Sequence, residues 1–162
     1  MKQLFLTRHA KSDWSDDSLT DHQRPLNKRG RLAAPKVGNY LQMSGLNPDL
    51  MVTSDALRAM STAKALRQCL NPKPLLLINP SLYHGGFGDI QECLSLISPV
   101  IEAVMLVGHN PGWEMTVGAL IGQSVRMTTC NVFCLSHPAN DWSGIFQPGT
   151  WTLDEIIRPK EI

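Results

Sequence analysis

Residues 3–10 of the chain read Gln3-Leu4-Phe5-Leu6-Thr7-Arg8-His9-Ala10, an apolar β-type run that ends in an arginine and a histidine. A later run, Ala103–Val107, leads in the same way into Gly108-His109-Asn110-Pro111-Gly112. Its proline and glycines mark an abrupt end of the strand. In an open parallel sheet, ligands bind at the carboxyl ends of the strands. The two histidines therefore follow two predicted strands at the edge where a site is expected.

A third apolar run, Leu50–Thr53, ends in Ser54-Asp55 and passes into a predicted helix over Ala56–Leu70. This helix carries Arg58 in its first turns, and the N–H groups of a helix start together with an arginine suit a phosphate. A further basic residue, Arg24, lies in the loop between the first strand and the next element. The pattern indicates a phosphate pocket with a nucleophile inside, built from Arg8-His9, Arg24, Arg58 and His109.

Length and composition bound the protein class. We expect one domain over residues 1–162, long enough for a sheet covered by helices. Hydrophobic residues make up 43% and charged residues 18%, which is typical of a folded globular protein. The net charge of +1 gives no global field that would favour nucleic acid or an anionic membrane. No signal-peptide pattern or transmembrane-length apolar run is present, so we expect a cytoplasmic protein.

The four cysteines are expected to be reduced thiols, because the chain has no C-x-x-C pair and no secretory signal. Cys130-x3-Cys134-x2-His137 resembles half of a zinc site. Asn131–Leu135 reads as a strand, however, and no second pair of ligands follows. We therefore predict neither a metal nor another cofactor.

The remaining pattern alternates strands and helices. Such alternation predicts an α/β fold with a mostly parallel central sheet, and the β-rich end of the chain predicts antiparallel strands at its edge. The other predicted elements are a helix over Lys28–Met43, a strand over Leu75–Ile78, helices over Asp89–Ser98 and Trp113–Ile121, and β structure from Val132 to Ile157.

Each site motif has an ordinary interpretation when it is taken alone. An Arg-His pair occurs by chance, and Arg58 could be one more solvated helix charge. Their ordered recurrence is more specific, because Thr-Arg-His-Ala, Ser54-x3-Arg58 and Gly-His-Asn-Pro-Gly each follow a predicted strand. With its motifs in this order and with this chain length, the sequence resembles the histidine phosphatase superfamily, and within it the small SixA-like phosphohistidine phosphatase branch. The resemblance covers nearly the whole chain, with Arg8-His9-Ala10 in place of the superfamily's Arg-His-Gly.

The resemblance implies a phosphoglycerate mutase-like fold, a three-layer sandwich with helices on both faces of the sheet. It also implies that His9 is the nucleophile and that Arg8, Arg58 and His109 surround the phosphoryl group. Asp21-x-x-Arg24-Pro25-Leu26 resembles a loop motif of the branch, which would make Arg24 a further phosphate ligand. Such a site needs no metal, because a neutral imidazole can attack phosphorus while arginines hold the phosphate oxygens. Water would then hydrolyse the phosphohistidine in a ping-pong scheme.

The general acid is the least defined part of the predicted site. Many members of the superfamily resemble one another in carrying a glutamate in the loop after the third strand. Here that loop is Leu82–Gly88, and the first glutamate is Glu92. Asp21, in the loop beside Arg24, is the substitute we favour. Asp21 could instead only cap a turn or pair with Arg24. The other carboxylates of the first loop remain alternatives: Asp13, Asp16 and Asp17.

Because the usual glutamate acid is absent, the site favours a substrate with a labile P–N bond over an alkyl phosphate ester. The leading hypothesis is therefore a phosphatase for phosphohistidine in a signalling protein such as a histidine phosphotransfer domain. The alternatives are a phosphatase for a small phosphorylated metabolite and an idle module that only binds phosphate. Trp14 and Trp113 could line the mouth of the pocket, although large aromatics are more often buried. The sequence predicts neither the physiological substrate nor the oligomeric state.

Overall fold

The computed structural model describes residues 1–162. The chain forms six strands, four α-helices and two short 3-10 helices, at Asp21–Gln23 and Pro80–Leu82. The strands and helices, in chain order, are β1 Lys2–Arg8, α1 Lys28–Met43, β2 Leu50–Thr53, α2 Leu57–Cys69, β3 Leu75–Ile78, α3 Phe87–Ser95, β4 Ala103–Gly108, α4 Gly112–Ile121, β5 Val132–His137 and β6 Thr152–Ile157.

The strands form one sheet in the order β3-β2-β4-β1-β5-β6. The first four strands of this order are parallel, whereas β5 runs antiparallel to both β1 and β6. The predicted α/β fold with an antiparallel edge is confirmed. The β1–β4 register pairs Arg8 with Gly108. The residues that follow these two strands, His9 and His109, therefore leave the sheet at the same level.

Two hydrophobic clusters cover the two faces of the sheet. Alternate residues of β1 divide between them, since Leu4 and Leu6 face one cluster and Phe5 faces the other. The first cluster includes the apolar sides of α3 and α4, and the second includes those of α1 and α2. Helices therefore cover both faces, and the end of the central strands β1 and β4 is left for the site.

Most element boundaries agree with the sequence-based prediction, and α3 shows the largest shift. This helix runs over Phe87–Ser95 instead of Asp89–Ser98. Asp89 lies in its first turn, where the carboxylate accepts a hydrogen bond from the Gly86 N–H at 2.8 Å. A carboxylate in this position caps a helix that has already begun, so the helix starts earlier than the apolar pattern indicates. Ser98 precedes Pro99, which disfavours helical backbone at the predicted end.

The predicted β structure at the end of the chain is interrupted. A loop of non-strand structure separates β5 from β6. It packs apolar side chains on the first cluster, among them Trp142, Ile145 and Phe146. All four cysteines are free thiols. None of the helices has the length and apolarity that crossing a membrane requires.

Candidate active site

His9 and His109 lie side by side at the carboxyl ends of β1 and β4. Their ring centroids are 5.1 Å apart. Both side chains are largely buried, with 7% of His9 and 3% of His109 exposed. The sheet register and the parallel direction of the two strands bring these two predicted residues together.

The hydrogen bonds of His9 determine which ring nitrogen carries the proton. Its Nδ1 lies 2.7 Å from the carbonyl oxygen of Ala10, which can only accept, so Nδ1 is the donor. Its Nε2 lies 3.3 Å from Nε of Arg58, which can only donate. The Nε2 lone pair therefore points at the guanidinium. This is the tautomer that a nucleophile attacking through Nε2 requires.

Both imidazoles are neutral at pH 7. Burial lowers the pKa of His9 to about 4, and the charges of Arg58 and Arg8 act in the same direction. The hydrogen bond to Ala10 and the charge of Asp21 oppose this shift only in part. Burial also lowers the pKa of His109 to about 3, with further contributions from His9 and Arg58. Each ring therefore keeps a lone pair at neutral pH.

These lowered pKa values make the stability of the fold pH-dependent. Below about pH 6.5 the unfolded chain takes up protons at His9 and His109 that the folded chain binds only near pH 4 and pH 3. We expect the free energy of unfolding to fall as the pH falls through this window. Urea unfolding at about pH 7 and about pH 4.5 measures the slope, and a His9→Asn/His109→Asn double variant should flatten it. An equal slope in both proteins would contradict the lowered pKa values.

Arg58 lies at the centre of the site. It is the second residue of α2, and its Nη2 lies 3.3 Å from Nδ1 of His109. Thr62 lies one turn later and joins α2 to the end of β1. Its Oγ1 accepts from the N–H of Ala10 at 3.0 Å and donates to the carbonyl of Arg58 at 2.7 Å. One guanidinium therefore touches both histidines, and the helix that carries it is fixed against β1.

Asp21 occupies the outer side of the Arg58 guanidinium. Nη1 of Arg58 donates to the Asp21 carbonyl at 2.5 Å, and Nη2 donates to Oδ2 at 2.9 Å. The hydroxyl of Tyr83 donates to the same Oδ2 at 2.6 Å. Burial raises the pKa of the Asp21 carboxyl, but the hydrogen bonds from Tyr83 and Arg58 outweigh it and leave the pKa below its ordinary value. In this resting state Asp21 is a carboxylate, and its role as general acid stays a prediction.

The other two predicted arginines lie on opposite sides of the site. Arg8 donates from Nη1 to the Met127 carbonyl at 2.9 Å, and its buried Nε has no partner. Arg24 places its guanidinium 3.6 Å from the ring centroid of Trp14, with its Nε 3.7 Å from Oδ1 of Asp21. Arg8 acts on His9 through its charge, which lowers the pKa of His9, whereas Arg24 contacts Asp21.

The two tryptophans have different environments. Trp14 is 61% exposed at the rim, and Trp113 is completely buried in the core. The alternative acids of the first loop make local turns. Asp13 accepts from the N–H of Ser15, and Asp16 accepts from the N–H of Ser18. No hydrogen bond joins these loop carboxylates, or Asp17, to either histidine.

Ser54 orients His109, a role that the Ser54-x3-Arg58 spacing alone does not specify. Its Oγ lies 2.9 Å from Nε2 of His109 and accepts from the N–H of Ala56 at 3.1 Å. Nδ1 of His109 faces Nη2 of Arg58, which can only donate, so the His109 proton is on Nε2 and is donated to the Ser54 oxygen. Ser54 therefore holds the His109 ring with the Nδ1 lone pair facing the guanidinium.

Sequence analysis did not single out Tyr83 and His84, which follow β3 at the same edge of the sheet. The Tyr83 ring packs edge-on against His109 with centroids 5.4 Å apart, and its hydroxyl binds Asp21. His84 stacks on Tyr83 with centroids 4.0 Å apart. Their place in the loop after β3, beyond the 3-10 helix Pro80–Leu82, is the signal that could have identified them.

Comparisons with known proteins identify relatives of this arrangement. A family model described as histidine phosphatase superfamily (branch 1) matches residues 4–93. An uncharacterised chloroplast protein of Arabidopsis thaliana is 36% identical over 170 residues, which cover 98% of this chain and 78% of that protein. The phosphohistidine phosphatase SixA of Escherichia coli is 26% identical over 140 residues, covering 85% of this chain and 83% of SixA. A crystal structure assigned to SixA from Agrobacterium tumefaciens is 25% identical and superposes with a TM-score of 0.83, covering 98% of both chains.

Proposed function

The chain belongs to the histidine phosphatase superfamily, and we propose that it is a metal-independent phosphatase that forms a phosphohistidine intermediate on His9. Family membership and the likeness to SixA support phosphatase activity in general. The proposed substrate is phosphohistidine in a protein, such as a histidine phosphotransfer domain.

The observation that carries the proposal is the single guanidinium between the two histidines. Arg58 lies 3.3 Å from Nε2 of His9 and 3.3 Å from Nδ1 of His109. A phosphoryl group in front of Nε2 would receive N–H donors from Arg58, and arginine holds phosphate oxygens in a planar, paired geometry. These donors stay charged throughout the reaction, so they stabilise the charge that moves on the phosphoryl oxygens.

The first half-reaction begins when the phosphoryl oxygens replace the Asp21 carboxylate on Arg58. Nε2 of His9 then attacks phosphorus, while Nδ1 keeps its hydrogen bond to Ala10 and orients the ring. His109 then changes tautomer, so that Ser54 donates to its Nε2 and its Nδ1 donates to a phosphoryl oxygen. Arg8 and Arg24 add positive charge from the two sides. Attack by water on the phosphorylated His9 completes the ping-pong cycle.

The state of Asp21 bears on the substrate class. An alkoxide leaving group requires strong protonation, and in the resting site the pKa of the Asp21 carboxyl lies below its ordinary value, so Asp21 rests without a proton to give. The P–N bond of phosphohistidine is more labile, and its imidazole leaves readily once protonated. The site therefore fits a phosphoramidate better than a sugar phosphate.

The test of the proposed function compares kcat/KM for a phosphohistidine peptide with that for a panel of small phosphate monoesters. We expect the peptide to be preferred by at least about tenfold, equivalent to about 1.4 kcal/mol of transition-state binding. A His9→Ala variant serves as the blank for contaminating activity. Preference for a monoester would move the assignment to a metabolite phosphatase. Phosphate binding without turnover of any substrate would indicate a binding module.

A further inference from the structure

His84 is an unpaired imidazole at the mouth of the candidate site. It follows Tyr83 directly, is exposed to solvent, and makes no hydrogen bond within the chain. Its ring centroid lies 6.4 Å from that of His109, whereas its ring is not in contact with that of His9. The ring therefore lies beside the second histidine of the site and is more exposed than either His9 or His109.

The backbone at His84 is unusual for a residue with a side chain. Its φ angle is 56°, in the left-handed region that residues other than glycine rarely adopt. The turn continues into Gly85, where an added Cβ would lie 2.8 Å from the Ser81 carbonyl oxygen. This tight turn fixes the start of the His84 side chain against Tyr83. The backbone therefore sets the direction in which the imidazole leaves the chain.

The groups around His84 can influence its proton. On its inner side lie His109, which is neutral at pH 7, and the Asp21 carboxylate, whose pKa His84 helps to lower. Two further groups contact Tyr83 rather than His84. Arg58 lies 5.9 Å from the centre of the Tyr83 ring, and the His22 ring packs on Tyr83 with centroids 4.8 Å apart. A phosphoryl dianion entering the pocket would favour the protonated form of a nearby imidazole.

We propose that His84 is the proton donor to the leaving group in the first half-reaction and the proton acceptor from water in the second. This inference rests on the proposed function, because it assigns a further catalytic residue to the same reaction.

The proposed proton transfers balance over the cycle. In the first half-reaction the bond from phosphorus to Nε2 of His9 forms as the bond to the leaving atom breaks. The electron pair of that bond stays on the leaving atom, which takes a proton from the His84 imidazolium. In the second half-reaction neutral His84 accepts a proton from water as the water oxygen bonds to phosphorus. The P–N electron pair returns to His9, phosphate leaves, and His84 is again protonated.

An imidazole acid also suits the proposed substrate. Histidine is the side chain that serves most often as a general acid or base in enzymes. The leaving group of phosphohistidine is itself an imidazole, so donor and acceptor are matched in basicity. A carboxylate held by Arg58 and Tyr83 does not offer this match. His84 therefore offers a further proton donor at a site where Arg58 and Tyr83 hold the Asp21 carboxylate.

The test uses a His84→Asn variant, because asparagine tolerates left-handed backbone. The substrates are 4-nitrophenyl phosphate, whose phenolate leaves without protonation, and phenyl phosphate, whose more basic phenolate requires it. We expect kcat/KM of the variant to fall by about 100-fold for phenyl phosphate and by less than about threefold for 4-nitrophenyl phosphate. With 4-nitrophenyl phosphate, the variant should also release a burst of one nitrophenol per site, since loss of the base slows hydrolysis of the phosphoenzyme.

Several outcomes would overturn the assignment. Equal losses on both substrates would indicate a merely structural role for His84, and unchanged rates on both would exclude it from catalysis. If the loss of kcat/KM depended on the leaving group in Asp21→Asn but not in His84→Asn, the aspartate would be the proton donor. A wild-type enzyme that forms no phosphohistidine on His9 would instead refute the proposed function. The failures of the two proposals are therefore distinguishable.

Discussion

Replacing His9 by alanine is expected to lower kcat/KM by at least about 10⁴-fold, because removal of a nucleophile leaves only binding and electrostatic stabilisation. The residual site keeps Arg58, Arg8 and His109, so phosphate binding should survive. The expected loss is therefore in kcat, with little change in the affinity for inorganic phosphate.

The direct measurement is the covalent intermediate. Wild-type enzyme quenched during turnover of a labelled substrate should carry one phosphoryl group on His9, stable to alkali and labile to acid. A His137→Gln variant is the matched control, because His137 lies at the end of β5 with its ring 5.2 Å from Trp151 and away from the site. Labelling that persists in His9→Ala would contradict the mechanism.

Replacing Arg58 by alanine is expected to reduce kcat by about 10²- to 10³-fold, the usual effect of removing a donor that stabilises the transition state. The change removes the guanidinium contacts to His9, His109 and Asp21 together. Arg58→Lys should restore only part of the rate, since an ammonium group cannot reproduce the planar fork.

A second readout separates electrostatics from misfolding in the Arg58 variant. The positive charge of Arg58 lowers the pKa of His9, so its removal should raise that pKa from about 4, measurable by NMR titration of the ring. Lys64→Ala, an exposed change on the same helix, should alter neither the pKa nor kcat. An unchanged kcat in Arg58→Ala would exclude the guanidinium from the reaction.

Much of the fold follows from local patterns in the sequence. β3 occurs at the predicted residues, and α1 matches the predicted Lys28–Met43, where Asn27 caps the first turn by accepting from the Gly30 N–H at 2.9 Å. Alternation of strands and helices was sufficient to predict the parallel sheet and its antiparallel edge. The start of α3 was predicted incorrectly because it depends on a side-chain contact of Asp89.

The site was less predictable because its chemistry depends on which groups pair in space. Placement at strand ends brought His9, His109 and Arg58 together as expected. Nothing in the local sequence shows that Tyr83 and Arg58 bind one carboxylate oxygen of Asp21 and so lower its pKa. The stacking of Arg24 on Trp14 similarly depends on the path of an irregular loop.

The Asp21–Arg58 pair has a consequence for the end of the catalytic cycle. The carboxylate is attached to the protein, so its effective concentration at the guanidinium is high and constant. When inorganic phosphate loosens, Asp21 is already in place to reclaim Arg58, and rebinding of phosphate must displace it again. If the chain works by the proposed mechanism, the resting enzyme carries its own competing anion, and we expect rapid product release and weak inhibition by phosphate.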